Sequence, residues 1–364
     1  MPGVVNCSLA VAGAGIFVAV KSTLDLAGSV NEGAFRPITL IAPDRTIFSV
    51  QLDAPAGAHG EVRKRGVSLG LGALSQMRPD LVSGDLCGLS FPNAIGGFNA
   101  RRNRQYVYYE SPAGGNGGFN EADGSSVFAN VDFGNLPTSQ NAESIENEMP
   151  LLVEGSALRI DSAGEGRSRG GVGIYREIRL LDDDRYSVLS DRAVIPPYGM
   201  LGAGSGKPYK ISIRRGREEV NFDTPGKVSG YPIGKGDVVV IRSSGGGGYG
   251  DPLDRDPEKV REDVKQGYIS KERARLGYGT VLGDDDEVDP LATKALRSQI
   301  RSERFAMKVA IDARFEPYRR IVRTGIRCDA PEHAHFFVGA SFKRDWFFIR
   351  EIDEDFESCE QAKL

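Results

Sequence analysis

The alternation of apolar and polar residues predicts β-strands through most of the first 240 residues and helices after about residue 256. Gln105–Glu110 (QYVYYE) has the aromatic and β-branched content typical of a strand. The same alternation predicts four further strands at Leu151–Ile160, Ile174–Leu181, Tyr209–Arg214 and Val238–Arg242.

Nearer the start, two apolar runs, Phe35–Ala42 and Thr46–Leu52, are separated by a turn, so we expect them to form a β-hairpin. Asp53–Arg65 (DAPAGAHGEVRKR) is expected to be a loop, followed by a helix over Val67–Gln76. Leu9–Val20 is apolar but too short to cross a bilayer, which favours a buried N-terminal helix or strand.

Glycine is unusually frequent, with 46 glycines in 364 residues against a usual share of about 7%. The longest glycine-rich stretch, Ser243–Pro257 (SSGGGGYGDPLDRDP), ends the β-rich part of the chain. It is not a P-loop, because no Gly-Lys-Ser/Thr follows, and Asp251-Pro252 prevents the immediate helix of a dinucleotide-binding loop. A structural turn that needs close backbone approach is favoured, and a backbone-lined cavity wall stays open.

After this stretch, Asp256-Pro257 predicts a helix start with an N-cap, and Ser270 caps a second short helix. An acidic linker leads to a helix over Pro290–Phe315 and then to a small C-terminal module. We therefore expect an α+β protein whose β-rich core with glycine-rich loops occupies residues 1–283, followed by a helical segment and a small module in residues 284–364.

Composition limits the function. A net charge of −4 argues against a nucleic-acid or acidic-membrane partner bound by bulk electrostatics. The four cysteines are widely spaced, which is typical of reduced thiols in a cytoplasmic protein.

Two loops carry candidate catalytic groups. His59 and Glu61 lie beside Arg63, and this basic cluster would suit proton transfer next to an anionic substrate; an ordinary surface histidine is the alternative. Glu110 ends a predicted strand as a candidate general base, and Asn116 in the following glycine loop could orient an oxyanion. Tyr109 is a candidate substrate-binding residue, and a solvated loop is the alternative for all three.

Two further groups offer ligands. The long polar segment after residue 129 carries three candidate substrate-binding residues without a metal spacing signature: Asn130, Asp132 and Asn135. The tail holds four candidate zinc ligands, although their spacing is not a standard structural zinc pattern: Cys328, His333, His335 and Cys359.

Four stretches in order resemble the hydantoinase B/oxoprolinase family over about residues 3–282. They are VNEGAFRPITLIAPDRT (Val30–Thr46), YVYYESPAGGNGG (Tyr106–Gly118), LRIDSAGEGRSRGGVGIYREIRLL (Leu158–Leu181) and SGGGGYGDPLDRDPEKVREDVKQGYISKERARLGYG (Ser244–Gly279). The chain resembles the C-terminal two-thirds of a typical member, so the N-terminal part of the family pattern is absent.

The resemblance implies a cytoplasmic subunit of an ATP-dependent enzyme that hydrolyses a cyclic amide. ATP and Mg would be bound by a hydantoinase A-like partner, which phosphorylates the substrate. This chain alone would bind no cofactor, although the assembled complex could hold a divalent metal. A further chain could supply the missing N-terminal portion. The alternatives are a subunit of an ATP-dependent ketone carboxylase and a non-catalytic scaffold subunit.

Overall fold

The computed structural model describes residues 5–24, 27–51, 53–88, 92–128, 140–315, 326–330 and 333–336, with side chains up to residue 304. The chain divides into two units. One comprises Met1–Val67 with Gln299–Leu364, and the other comprises Ser68–Ser298.

The first unit contains helix α1 (Leu9–Leu24), the short helix α2 (Glu32–Phe35) and the beginning of α3 (His59–Leu74). The apolar run near the N-terminus is therefore a helix rather than a strand. It packs closely on α3, because a Cβ on Gly15 would lie 2.5 Å from the carbonyl oxygen of Arg63. Small residues at this contact let the two helix backbones approach each other.

The predicted hairpin over Phe35–Ala42 and Thr46–Leu52 is wrong. Phe35 ends α2, whose N-cap Asn31 accepts a hydrogen bond from the Ala34 N–H. Backbone bonds in the later part of this region go to Cys7, which donates to Ile47 and accepts from Val50. Among the described residues of the two runs, no strand forms, so the two runs do not pair in a ladder there.

The loop predicted for Asp53–Arg65 is also partly wrong, because α3 already begins at His59. Val62 and Val67 are buried, and the residues between them are mostly good helix formers. The basic residues indicated a solvated loop, but long charged side chains are equally compatible with a helix that buries one face.

The second unit contains two antiparallel sheets. Their strand orders are β2-β1-β5-β8 and β3-β4-β9-β6-β7. The inner faces of both sheets contribute to one apolar core, which includes Ile95, Tyr108, Ile178 and Ile241. The strands are β1 (Asn93–Asn99), β2 (Arg104–Glu110), β3 (Leu151–Leu158), β4 (Ile174–Leu180), β5 (Asp184–Leu189), β6 (Lys210–Arg215), β7 (Glu218–Val220), β8 (Lys227–Ile233) and β9 (Val238–Arg242).

Beyond the ends of these strands lies a glycine bundle, which we define as residues 84–88, 114–118, 162–173, 197–207 and 243–250. Most of the backbone hydrogen bonds in the bundle join one segment to another, and a few lie within a segment, such as those from Gly170 to Gly164 and from Ala203 to Met200. Successive residues of the central segment, 244–248, bond to different neighbouring segments. The backbone N–H groups of this segment donate to carbonyl oxygens of the other segments: Gly245 to Lys207 (3.3 Å), Gly246 to Gly171 (2.9 Å), Gly247 to Asp85 (2.9 Å) and Gly248 to Gly204 (3.0 Å).

Glycine is required in the bundle because neighbouring backbones touch. A Cβ on Gly246 would lie 1.8 Å from the Asn116 carbonyl oxygen, and one on Gly247 would lie 1.8 Å from that of Tyr198. The prediction of close backbone approach at Ser243–Gly250 is confirmed. The form differs from the predicted tight turn, because the stretch is the central extended segment of a buried bundle.

Helices follow the bundle, as predicted. Asp256 caps α5 (Pro257–Lys265), and Ser270 caps α6 (Lys271–Tyr278). A longer helix, α7 (Pro290–Phe315), precedes the two-stranded pair β10 (Ile326–Ala330) and β11 (His333–Phe336). The expected α+β class, with a β-rich core and a following helical segment, is confirmed. In the described part of the chain, no helix is long and apolar enough to span a membrane.

Candidate functional site

Glu110 lies at the end of β2 and is almost completely buried. The Arg176 guanidinium Nε is 3.0 Å from its Oε2, and both side chains are buried. The hydroxyl of Tyr108 donates to the same carboxylate oxygen. Burial, together with the charge of Glu110, raises the pKa of Tyr108, so this hydroxyl stays protonated and remains a donor. The carboxylate is therefore held by a cation and a neutral donor.

Arg176 extends this contact to the long polar segment. Its Nη2 donates to the carbonyl of Gln140 at 2.9 Å, directly after residues 129–139. At the other end, Gly114 and Phe128 exchange backbone hydrogen bonds of 3.2 and 2.6 Å. Phe128 and Gln140, the described residues on either side of 129–139, thus bond to the glycine loop that follows β2 and to Arg176, respectively.

Asn116 is buried within the glycine bundle, which the sequence did not indicate. Its side-chain oxygen accepts from the Gly117 N–H at 2.9 Å. Its backbone N–H donates to Ser125 at 2.9 Å, and its carbonyl accepts from Gly171 at 2.7 Å. These bonds give Asn116 a fixed position in the bundle, and the solvated-turn alternative is not what the structure shows.

Tyr109 points away from Glu110, because successive side chains of a strand alternate between the two faces of the sheet. Its side chain is exposed, whereas Tyr108 and Glu110 are buried. The structure therefore does not bring Tyr109 together with the buried carboxylate.

His59 is the first residue of α3 and is exposed. Its Nδ1 lies 3.1 Å from the carbonyl oxygen of Ala56, which suits a tautomer with the proton on Nδ1. Arg63, four residues on, lies on the same face of the helix, whereas Glu61 does not. These three residues belong to the first unit, and Glu110 and Asn116 belong to the second.

The structure describes only part of the candidate zinc site, and it does not describe the candidate substrate-binding residues of the long polar segment. Among the strands of the tail, Cys328 pairs with Ala334, between His333 and His335 in register. Within the side chains that the structure describes, no group of three His, Cys, Asp or Glu is arranged to hold a metal ion. Four predicted residues lie outside the described residues: Asn130, Asp132, Asn135 and Cys359.

The sequence interpretation missed Arg176, although a signal was present. Ile174, Arg176 and Ile178 occupy one inward row of β4. A charged residue in an otherwise apolar row requires a buried partner of opposite charge. Glu110 in the inward row of β2 is that partner.

A second buried ionic cluster joins the bundle to α5, and it was also missed. Asp263 on α5 accepts from Arg169 Nε at 3.1 Å and from Arg255 Nη2 at 2.8 Å. Arg255 also forms a two-oxygen contact with Asp123, at 2.7 and 2.8 Å. The guanidinium of Arg169 lies 4.3 Å from the ring centre of Tyr268. Every charge in this cluster has an opposite charge beside it, which favours a structural role.

Comparison with known proteins places this architecture in a family. The profile of the family Hydantoinase B/oxoprolinase matches residues 1–252. The chain belongs to this family. A protein named as the B-type subunit of a D-/L-hydantoinase from Pseudomonas sp. (strain NS671) is 32% identical over 269 residues, covering 73% of this chain and 44% of the relative.

Two solved structures share the fold. The ATP-dependent caprolactamase from Pseudomonas jessenii aligns with a TM-score of 0.73 and 25% identity over 82% of this chain and 53% of its own. A nucleotide-free acetone carboxylase aligns with a TM-score of 0.71 and 22% identity, over 87% of this chain and 47% of its own, and this likeness shows the fold alone. The chain spans about half the length of the relatives that it matches.

Proposed function

We propose that this member of the hydantoinase B/oxoprolinase family works as a B-type subunit of an ATP-dependent enzyme that hydrolyses a cyclic amide. One observation carries the proposal. The family match over residues 1–252 coincides with a structural likeness to an ATP-dependent caprolactamase that retains 25% identity. A caprolactam is a cyclic amide, so the substrate class follows from that relative.

In this proposal a partner ATP-binding subunit of the A type phosphorylates the amide oxygen with ATP and Mg. Phosphorylation makes the amide carbon easier for water to attack. The ring C–N bond then breaks as the nitrogen takes a proton, and a second water hydrolyses the resulting acyl phosphate to the carboxylate and phosphate. The exposed imidazole of His59 is suited to carry protons at neutral pH. The backbone N–H groups of Asn116 and Gly117 already donate within the chain, so the side-chain amide N–H of Asn116 is the group assigned to a developing oxyanion.

In this proposal Glu110 is a positioning residue and not a general base. Its carboxylate is bound to Arg176, and Arg176 holds the carbonyl of Gln140. We therefore assign the pair to positioning Gln140, which follows the candidate substrate-binding residues Asn130, Asp132 and Asn135 in the sequence.

The test is co-expression of this chain with the A-type subunit from the same genome, followed by measurement of phosphate release. Hydantoin, 5-oxoproline and caprolactam are compared with acetone plus bicarbonate. We expect phosphate release with at least one cyclic amide, matched by ring-opened product. Release that requires both the ketone and bicarbonate would assign the chain to a carboxylase instead. Normal turnover by the A-type subunit in the absence of this chain would exclude the enzymatic role.

A further inference from the structure

Three of the four edge strands in the two sheets carry features that oppose pairing with another chain. On β8, Pro232 removes a backbone donor. On β3, a register shift next to Gly155 interrupts the strand, and the Val153 N–H donates to Glu146 of α4 (Ala142–Glu148) at 3.0 Å. The remaining protected edge, β7, has only three residues, two of which are glutamates.

The fourth edge strand, β2, lacks these features. Its seven described residues contain no proline and pair with β1 without a register shift. Its terminal charges are occupied within the chain, since Arg104 contacts Glu148 at 2.5 Å and Glu110 contacts Arg176 at 3.0 Å. A regular edge of this length, with no charge between its two ends, is a template for a further strand.

The outer face beside this edge is also apolar. Phe98, Val107 and Tyr109 expose 50%, 65% and 59% of their surface. Because Phe98 is paired with Gln105, it is a diagonal neighbour of Val107, and Tyr109 follows Val107 by two residues on the same face of β2. We call this surface, together with the edge of β2, the β2 face.

The outer face of the five-stranded sheet shows the contrast. There Arg214 contacts Glu177 at 2.6 Å, and Arg242 contacts Glu219 at 3.2 Å. Cross-strand ion pairs of this kind suit a face in contact with water. The same protein therefore has one sheet face built for water and another with exposed aromatic and aliphatic side chains, which indicates a covered surface.

We propose that the β2 face is the docking surface for the half of a hydantoinase B-type protein that this chain does not match. The caprolactamase shares the fold over 82% of this chain, yet 47% of that chain remains outside the similarity, because the alignment covers 53% of it (100 − 53). We take that half to pack on the shared fold, since the β2 face offers apolar contacts and a strand edge with which no described strand pairs. A β-strand of this unmatched half pairs with β2, and apolar residues cover Phe98, Val107 and Tyr109.

The experiment uses the part of the Pseudomonas hydantoinase relative that lies outside the matched residues, produced as a separate chain. Calorimetric titration measures its binding to the full wild-type chain and to the double variant Val107→Glu/Tyr109→Ser. Ile195→Glu is the matched control, because Ile195 is 73% exposed and lies outside the β2 face. We expect equal binding by the wild type and the control, and at least tenfold weaker binding by the double variant.

A second variant, Val107→Thr/Tyr109→Thr, keeps strand-forming residues and guards against misfolding, which circular dichroism monitors. Hydrogen exchange of the β2 amides is expected to slow in the complex.

No binding by the wild type, or binding by both double variants equal to that of the wild type, would overturn the proposal. Self-association that the double variants abolish would assign the face to a dimer instead. The docking proposal rests on the proposed function only in assuming that this part of the fold works together with the rest of a B-type protein. Binding is measured without ATP or substrate, so the docking proposal and the proposed function can fail separately.

Discussion

Gly246 illustrates how far the fold depends on the absence of a single atom. Its N–H donates to Gly171, and its carbonyl accepts from Gly164. A side chain at this position would meet the backbone of Asn116, which cannot rotate away as a side chain can. The buried backbone groups are satisfied only because the segments lie this close.

We expect Gly246→Ala to lower the free energy of unfolding by about 1–3 kcal/mol or more, since the added methyl group overpacks a buried backbone contact. Gly155→Ala is the control, because its nearest neighbour, the Cβ of Glu177, lies at 4.0 Å. Urea denaturation of both variants measures the difference. Equal midpoints for the two would contradict the account of the bundle.

Glu177 provides a pH-dependent contribution to stability. The hydrogen bond from Arg214 lowers the pKa of Glu177 to about 2, with a further contribution from Tyr175. A carboxyl whose pKa is lower in the folded state stabilises the protein above its unfolded pKa of about 4.3, and this contribution is lost as the pH falls towards 2.

Glu177→Gln should therefore lose less stability than the wild type between pH 6 and pH 3. Urea midpoints at the two pH values test this, with Glu121→Gln at an exposed position as the control. The same pH dependence in all three proteins would show that the contact between Arg214 and Glu177 contributes no measurable stability.

At the scale of elements, the sequence predicted those that local signals determine. Val238–Arg242 and the N-caps Asp256 and Ser270 are where the apolar pattern and the capping residues place them. The bundle could not be predicted in this way, because each segment bonds to partners from distant parts of the chain. The Glu110–Arg176 pair could be predicted only in part: the apolar row of β4 marks Arg176 as a buried charge, but its partner lies on β2, which no local signal connects to β4.

Helix α5 is fixed to the bundle by the buried carboxylate of Asp263. We expect Asp263→Asn to lower the free energy of unfolding by about 3–5 kcal/mol, since it leaves Arg169 and Arg255 short of negative charge in a buried site. Asp256→Ala, which removes only the N-cap of the same helix, is expected to cost about 1 kcal/mol. Thermal denaturation compares the two variants, and a larger loss for Asp256→Ala would reverse the ranking and reject this role for Asp263.

At the scale of the whole molecule, the candidate site residues fall into two units, and the chain matches about half the length of its relatives. Under the proposed function, activity is therefore measured on this chain together with the A-type subunit. Comparing a variant of an exposed site residue with a variant of a buried one separates an effect on turnover from an effect on stability.

In the complex with the A-type subunit, we expect His59→Ala to reduce turnover at least tenfold while changing the free energy of unfolding by no more than about 0.5 kcal/mol, because His59 is exposed. Glu110→Gln is expected to lower both, because its ion pair with Arg176 is buried. Phosphate release and thermal denaturation are measured on the same preparations. Full turnover by His59→Ala would remove His59 from the proposed chemistry.

The glycine bundle also has a consequence for how this sequence can change over time. Every replacement of glycine adds a Cβ, so any codon change that alters the amino acid at Gly246 or Gly247 places an atom against a backbone carbonyl. Glycine is the smallest residue, so no substitution at these positions avoids the contact. These positions are therefore expected to resist drift while exposed strand positions vary, and a genetic library covering residues 243–250 should return almost only glycine at both.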